Sequence, residues 1–125
     1  MTRTILIIDD EDDIRAVARM SLEVTAGWTV LTADGGSAGY EQATRERPDA
    51  ILLDVMMPDL DGPATLERLR AHPDTRAIPV VFLTAKVQAA DHRRFATMPV
   101  SGVLTKPFDP MLLAQQVADV LGWSM

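Results

Sequence analysis

The sequence predicts an α/β fold of (βα)5 type, a doubly wound parallel sheet covered by helices on both faces. Three observations predict it. Five short strand-like runs alternate with five segments of helical periodicity. Most of the runs are apolar throughout instead of alternating, the mark of strands buried on both faces. The length of 125 residues suits one domain around one core.

The first strand is expected over 4–9, built on Ile5-Leu6-Ile7-Ile8. Asp12 or Asp13 opens a helix, because acids favour the positive end of the helix dipole. Ile14, Val17, Ala18 and Leu22 fall on one face of that helix, and Gly27 ends it. Trp28 to Ala33 forms the second strand, with β-branched Thr29, Val30 and Thr32. Asp34-Gly35-Gly36 is a turn signal. Residues 37–47 read as a helix with a thin apolar face, broken by Pro48-Asp49. The third strand runs from Ala50 to Asp54. Asp61-Gly62-Pro63 opens the next helix, proline being tolerated in a first turn, and Leu66 and Leu69 face inward. The fourth strand is expected over 78–84, with Pro79 near its start, where a missing N–H matters least. A short helix covers 87–97, and a fifth strand spans Gly102 to Lys106. Asp109 is expected to cap the last helix, whose stripe is Leu113, Val117, Val120 and Leu121. This alternation implies right-handed crossovers, and five strands fit the flavodoxin-like order 2-1-3-4-5.

Composition narrows the function. Apolar content is 47% and the net charge is −6, with a mean hydropathy of +0.06. An acidic chain without a basic face is a poor nucleic-acid binder, so no direct nucleic-acid partner is expected. Arg68, Arg70, Arg93 and Arg94 read as solvated helix faces, and His92 as solvent-facing. No apolar stretch approaches the ~20 residues of a membrane span, and the short first run is no signal peptide. A cytoplasmic protein with no membrane partner follows as the expectation. Absence of cysteine excludes disulfides and thiolate chemistry. The seven methionines read as core and loop residues, and Trp123 lies just past the last helix.

Four of the runs end on residues suited to phosphoryl chemistry: Asp9-Asp10, Asp54, Thr84 and Lys106. Parallel strands would gather all of them on one sheet edge, where open α/β sheets bind ligands. Neither a G-x-G-x-x-G nor a Walker-type loop is present. Three carboxylates at one place repel, and a hard divalent cation resolves the conflict. Mg2+ (or Mn2+) is therefore expected, held by Asp10, Asp54 and the backbone carbonyl of Met56, with Asp9 acting partly through water. Asp54 is the candidate nucleophile, since an ionised carboxylate attacks phosphorus without a general base. Phosphoryl transfer asks mainly for positioning and neutralisation of charge. Lys106 would supply positive charge and Thr84 a hydroxyl. Taken singly, these residues also serve as helix caps, turn residues and surface charges; together at four strand ends they point to one site. A cis bond before Pro107 would aim the lysine inward, although only ~5% of X–Pro bonds are cis; a turn-setting trans proline is the alternative. Metal binding is expected to show as a shift in melting temperature or tryptophan fluorescence.

In order and spacing, these segments resemble the receiver domain of bacterial two-component response regulators: Ile7-Ile8-Asp9-Asp10-Glu11, Pro48 to Asp54 with Met57-Pro58 and Asp61-Gly62, Phe82-Leu83-Thr84-Ala85, and Lys106-Pro107-Phe108. The resemblance implies a signalling switch, not a turnover enzyme. Asp54 would accept a phosphoryl group from a histidine kinase or histidine phosphotransfer protein, with intrinsic Mg2+-dependent self-phosphorylation and autodephosphorylation. Met56 and Lys86 would flank the phosphoryl group. Val103 departs from the pattern, because that position often carries an aromatic switch residue. Met98-Pro99-Val100 departs from a common Gly-Ala turn. The expected organisation is a single receiver domain over 1–125 with no output domain in this chain, signalling to an unknown downstream protein. Two alternatives stand beside it: a haloacid-dehalogenase-like phosphatase, which needs Asp-x-Asp after the first strand where Asp9-Asp10-Glu11 stands, and a pseudo-receiver that binds without phosphorylation.

Overall fold

A computed structural model describes residues 2–85 and 88–124. Its elements run β1 (Thr4–Ile8), α1 (Asp12–Ala26), β2 (Thr29–Ala33), α2 (Gly36–Glu46), β3 (Ala50–Asp54), α3 (Gly62–Ala71), β4 (Val80–Thr84), α4 (Ala89–Ala96), β5 (Gly102–Thr105) and α5 (Leu113–Leu121). All strand pairs are parallel, in the order 2-1-3-4-5. The (βα)5 expectation and the strand order therefore hold.

Side chains of one strand alternate between two helical layers. Ile5, Ile7, Leu52, Val81 and Leu83 pack with Ala18 and Leu22 of α1 and with Leu113 and Val117 of α5. Leu6, Ile8, Ile51, Leu53 and Phe82 pack on the other face with Ala43 of α2, Leu66 and Leu69 of α3, and Phe95 of α4. Each fully buried Leu, Ile or Phe contributes ~1.5–3 kcal/mol. Two-sided burial is the reason the strand runs carry no polar alternation.

Several boundaries and roles differ from expectation for identifiable reasons. β4 starts at Val80, because Pro79 has no N–H for the ladder and the Ile78 N–H turns back to the Thr75 carbonyl at 3.0 Å. Trp28 stands ahead of β2. The expected helix over 87–97 is Ala89–Ala96, Val87 lying outside the described residues. Asp109 does not cap α5. Its carboxylate accepts the Met111 N–H at 2.8 Å, and its carbonyl accepts from Leu112 and Leu113, forming a turn that delays the helix to Leu113.

On α1 the buried stripe is Ala18, Ser21 and Leu22, and Val17 turns outward at 44% exposure. Met20, Val24 and Met111 are exposed beside it and line an apolar groove between α1 and Pro110. Met20 is thus neither a core nor a loop methionine. Arg70 is no solvated arginine either: its guanidinium donates to the carbonyls of Ile78 at 2.9 Å and Pro99 at 3.0 Å, tying the end of α3 to two loops. His92 is partly exposed. α1 stops at Gly27, whose φ of 70° suits a residue without a Cβ. Trp123 packs edge-on against Trp28, with ring centroids 5.3 Å apart, and Arg3 lies over its ring at 4.5 Å.

Candidate functional site

The sheet's C-terminal edge collects the candidate residues. Asp9 follows β1 and is fully buried; its N–H continues the ladder to the Ala33 carbonyl at 3.1 Å. Asp54 ends β3 and is 3% exposed. Thr84 ends β4, buried, in register with Thr105, while its neighbour Leu83 is in register with Asp54. Lys106 follows β5, its N–H bonded to the Thr84 carbonyl at 2.8 Å, and the Lys106–Pro107 bond is cis.

Lys106 Nζ approaches Asp9 Oδ2 at 2.8 Å, Glu11 Oε1 at 3.2 Å and Asp54 Oδ1 at 3.3 Å. Carboxylate oxygens of Asp9, Asp10, Glu11 and Asp54 all lie within 4.8 Å of one another. Of the residues expected to converge, Asp9, Asp10, Asp54 and Lys106 are therefore together, and Thr84 ends the strand that lies between β3 and β5. Met56 is exposed, and its N–H donates to Asp54 Oδ1 at 3.3 Å. Val103 is half-buried, in register with Phe82 and packed toward the α2–α4 layer. Lys86 lies outside the described residues.

Local structure fixes these positions. Helix α3 begins hard against the end of β3. The Gly62 N–H bonds the Val55 carbonyl at 2.9 Å, and a Cβ on Gly62 would stand 2.7 Å from Val55 Cα and 2.8 Å from the Asp54 carbonyl oxygen. Only glycine fits there. Asp61 caps α3 by accepting the Ala64 N–H at 2.9 Å, as its position before Gly62-Pro63 predicts.

Two contributors were not singled out from the sequence. Glu11 reaches Lys106, and Arg15 donates to the Asp9 carbonyl at 2.8 Å while pairing with Asp12. Arg15 sits one helical turn past Asp12, which signals the local pair but not the bond to Asp9.

The electrostatics are unbalanced. Burial chiefly, with repulsion from Asp9, pushes the Asp54 carboxyl from 3.8 to about 6, despite the opposing pull of Lys106 and the Met56 N–H. Burial opposes the charge on Lys106, but contact with Asp9, the charge of Asp54 and the hydrogen bond to Glu11 outweigh it and hold its pKa above the ordinary value. Three carboxylates, Asp9, Glu11 and Asp54, thus share one ammonium, with the Asp10 carboxylate beside them. Asp9 Oδ2 is buried and ion-paired, yet no donor reaches it in hydrogen-bonding geometry. A buried oxygen left in that state is costly. It fits a hard divalent cation, which takes oxygen ligands and neutralises such clusters.

The family model for the response regulator receiver domain matches residues 5–118. The chain belongs to that family. The receiver is 35% identical over 121 residues to the alkaline phosphatase synthesis transcriptional regulatory protein PhoP of Bacillus subtilis, covering 97% of this chain and 49% of that protein. It is 39% identical over 119 residues to the response regulator PleD of Caulobacter vibrioides, covering 94% of this chain and 26% of PleD. The chain thus spans about half or less of the length of these curated relatives. Among solved structures, the Vibrio cholerae chemotaxis protein CheY4 superposes with a TM-score of 0.87 at 28% identity, covering 96% of this chain and 99% of that one. The N-terminal domain of a response regulator receiver protein from Methanoculleus marisnigri superposes with a TM-score of 0.77 at 34% identity, covering 99% and 100%. The family match leaves the phosphatase and pseudo-receiver alternatives without support. Among the described residues, no helix is long and apolar enough to cross a membrane.

Proposed function

We propose that this receiver is a phosphorylation-activated switch in which Asp54 takes a phosphoryl group from a phosphohistidine on a histidine kinase or phosphotransfer protein. An Asp54 oxygen attacks phosphorus, the N–P bond breaks, and the imidazole leaves with the bonding pair and is then protonated. Asp10, Asp54 and the Met56 carbonyl would hold Mg2+ (or Mn2+), with Asp9 assisting. When bound, the ion supplies neutralising charge for the phosphoryl oxygens. Lys106 adds the second positive charge, and Thr84 offers its hydroxyl to a phosphoryl oxygen. In the same reading Met56 restricts attacking water, and the family resemblance assigns Lys86, outside the described residues, the same role. Self-phosphorylation by small donors and autodephosphorylation belong to the same reading, as does a cytoplasmic setting.

The observation that carries it is Lys106 Nζ held between buried Asp9 and Asp54, at 2.8 and 3.3 Å. A new phosphoryl group adds about −1.5 to −2 of charge and three acceptors. Lys106 and Thr84 draw toward it, the loops after β3 and β4 shift, and an altered population presents itself to a downstream protein. With Val103 in place of an aromatic residue, output runs through the β4–α4 loop and the face of α4, β5 and α5. Acetyl phosphate with Mg2+ tests the core of the reading on a phosphate-affinity gel. The wild-type chain is expected to label once and Asp54→Asn not at all. Equal labelling of the variant would defeat the assignment.

A further inference from the structure

Glu11 stands at the N-cap of α1 with extended backbone, φ −90° and ψ 118°, yet its side chain makes no capping bond. Glutamate is not among the favoured N-cap residues, whose short side chains reach back to the first turn. Its main-chain N–H is fixed by Asp9 Oδ1 at 2.9 Å. Its carboxylate instead crosses to Lys106 Nζ at 3.2 Å, joining two loops 95 residues apart. The lysine side chain is 9% exposed and the Glu11 side chain 60%. Three carboxylates therefore surround Lys106, whose ammonium has three N–H donors: Glu11 accepts a hydrogen bond, while Asp9 and Asp54 pair with it as ions. A phosphoryl oxygen arriving on Asp54 needs one of those donors. Asp9 and Asp54 are buried, and breaking either pair strands a charge away from water. Glu11 returns to solvent at little cost.

We infer that Glu11 is a positioning residue that holds the Lys106 ammonium at the pocket mouth and is displaced by the phosphoryl group, so that its carboxylate competes with phosphorylation for the lysine. The inference rests on the reading that Lys106 serves a phosphoryl group on Asp54.

The test is calorimetric titration with beryllofluoride, a phosphoryl mimic, in the presence of Mg2+, and with Mg2+ alone. It compares wild type, Glu11→Gln, Glu11→Asp, Lys106→Met and the Glu11→Gln/Lys106→Met double variant, with melting curves as the folding control. Glu11→Gln should bind beryllofluoride about two- to fivefold more tightly, the range an exposed ion pair supplies. Glu11→Asp keeps the charge but is one methylene short, and should resemble Glu11→Gln. In the Lys106→Met background, Glu11→Gln should change affinity by less than twofold. Mg2+ affinity should change by less than tenfold. A gain below twofold in Glu11→Gln overturns the inference. So does a gain that survives loss of Lys106, or wild-type behaviour of Glu11→Asp, since either makes it a bulk charge effect. A tenfold loss of Mg2+ affinity would make Glu11 a metal ligand instead. Failure of the wild-type chain to take up beryllofluoride overturns the phosphoacceptor reading, whereas uptake by wild type with an unchanged Glu11→Gln overturns only the role of Glu11.

Discussion

Asp54→Asn should stabilise the metal-free protein at neutral pH. Asp54 is 3% exposed and its carboxyl is raised from 3.8 to about 6, mainly by burial. The folded chain therefore holds this proton more tightly than the unfolded chain. That favourable contribution is fully present below 3.8 and is lost as pH rises through about 6. The gap corresponds to about 3 kcal/mol at 1.36 kcal/mol per pH unit. Asparagine keeps the shape without the charge, and Lys106 retains Asp9 and Glu11 as partners. The loss of its attraction to Asp54 offsets part of the gain, leaving about 1–3 kcal/mol. For a domain of this size that raises the melting temperature by about 4–11 °C. Calorimetric melts in EDTA at pH 7.5 read it directly. The gain should fall to about half by pH 5 and shrink further toward pH 4. A variant that melts at or below the wild type at pH 7.5, or whose advantage is the same at pH 5, would refute the assignment of a buried, raised carboxylate.

Millimolar Mg2+ should raise the wild-type melting temperature, by about 2.7 kcal/mol of stability at a hundredfold excess over Kd, while Asp54→Asn gains clearly less; equal shifts would remove Asp54 from the metal site. Gly62→Ala places a Cβ 2.7 Å from the Val55 backbone, which should cost about 1–3 kcal/mol and slow acetyl phosphate labelling. A urea midpoint and labelling rate equal to wild type would show that α3 can retreat from β3 without consequence. Asp54→Asn should also lose labelling, and Glu11→Gln should gain beryllofluoride affinity only while Lys106 is present.

The strands were legible because burial on both faces leaves no polar residue in runs such as Ile5 to Ile8 or Ile51 to Leu53. The site was legible for a related reason. In a parallel sheet all strand ends share one edge, so a residue after each apolar run is placed by chain direction alone. Other features depend on contacts that local pattern does not encode. Val17 matches the apolar stripe of α1 but lies at its margin, exposed on a groove it lines with Pro110 and Met111. Arg70 looks like any helix-surface arginine until the Ile78 and Pro99 carbonyls come within reach. Asp109 has the composition of a cap, but Pro110 and a tight turn spend its carboxylate on Met111. Glu11 and Lys106 are 95 residues apart, and nothing in either neighbourhood announces the pair.

Both indoles of this protein, Trp28 and Trp123, meet edge-to-face at the end where the strands begin. Five residues at ~3.3 Å each put roughly 16 Å of sheet between that end and the acidic pocket. Native emission therefore reports chiefly on global melting, and a fluorescence response to metal would have to cross the sheet to reach the pair, which makes the melting-temperature shift the more direct readout. An optical reporter of switching has to be installed at the opposite rim, leaving the natural pair as an internal standard for intact fold.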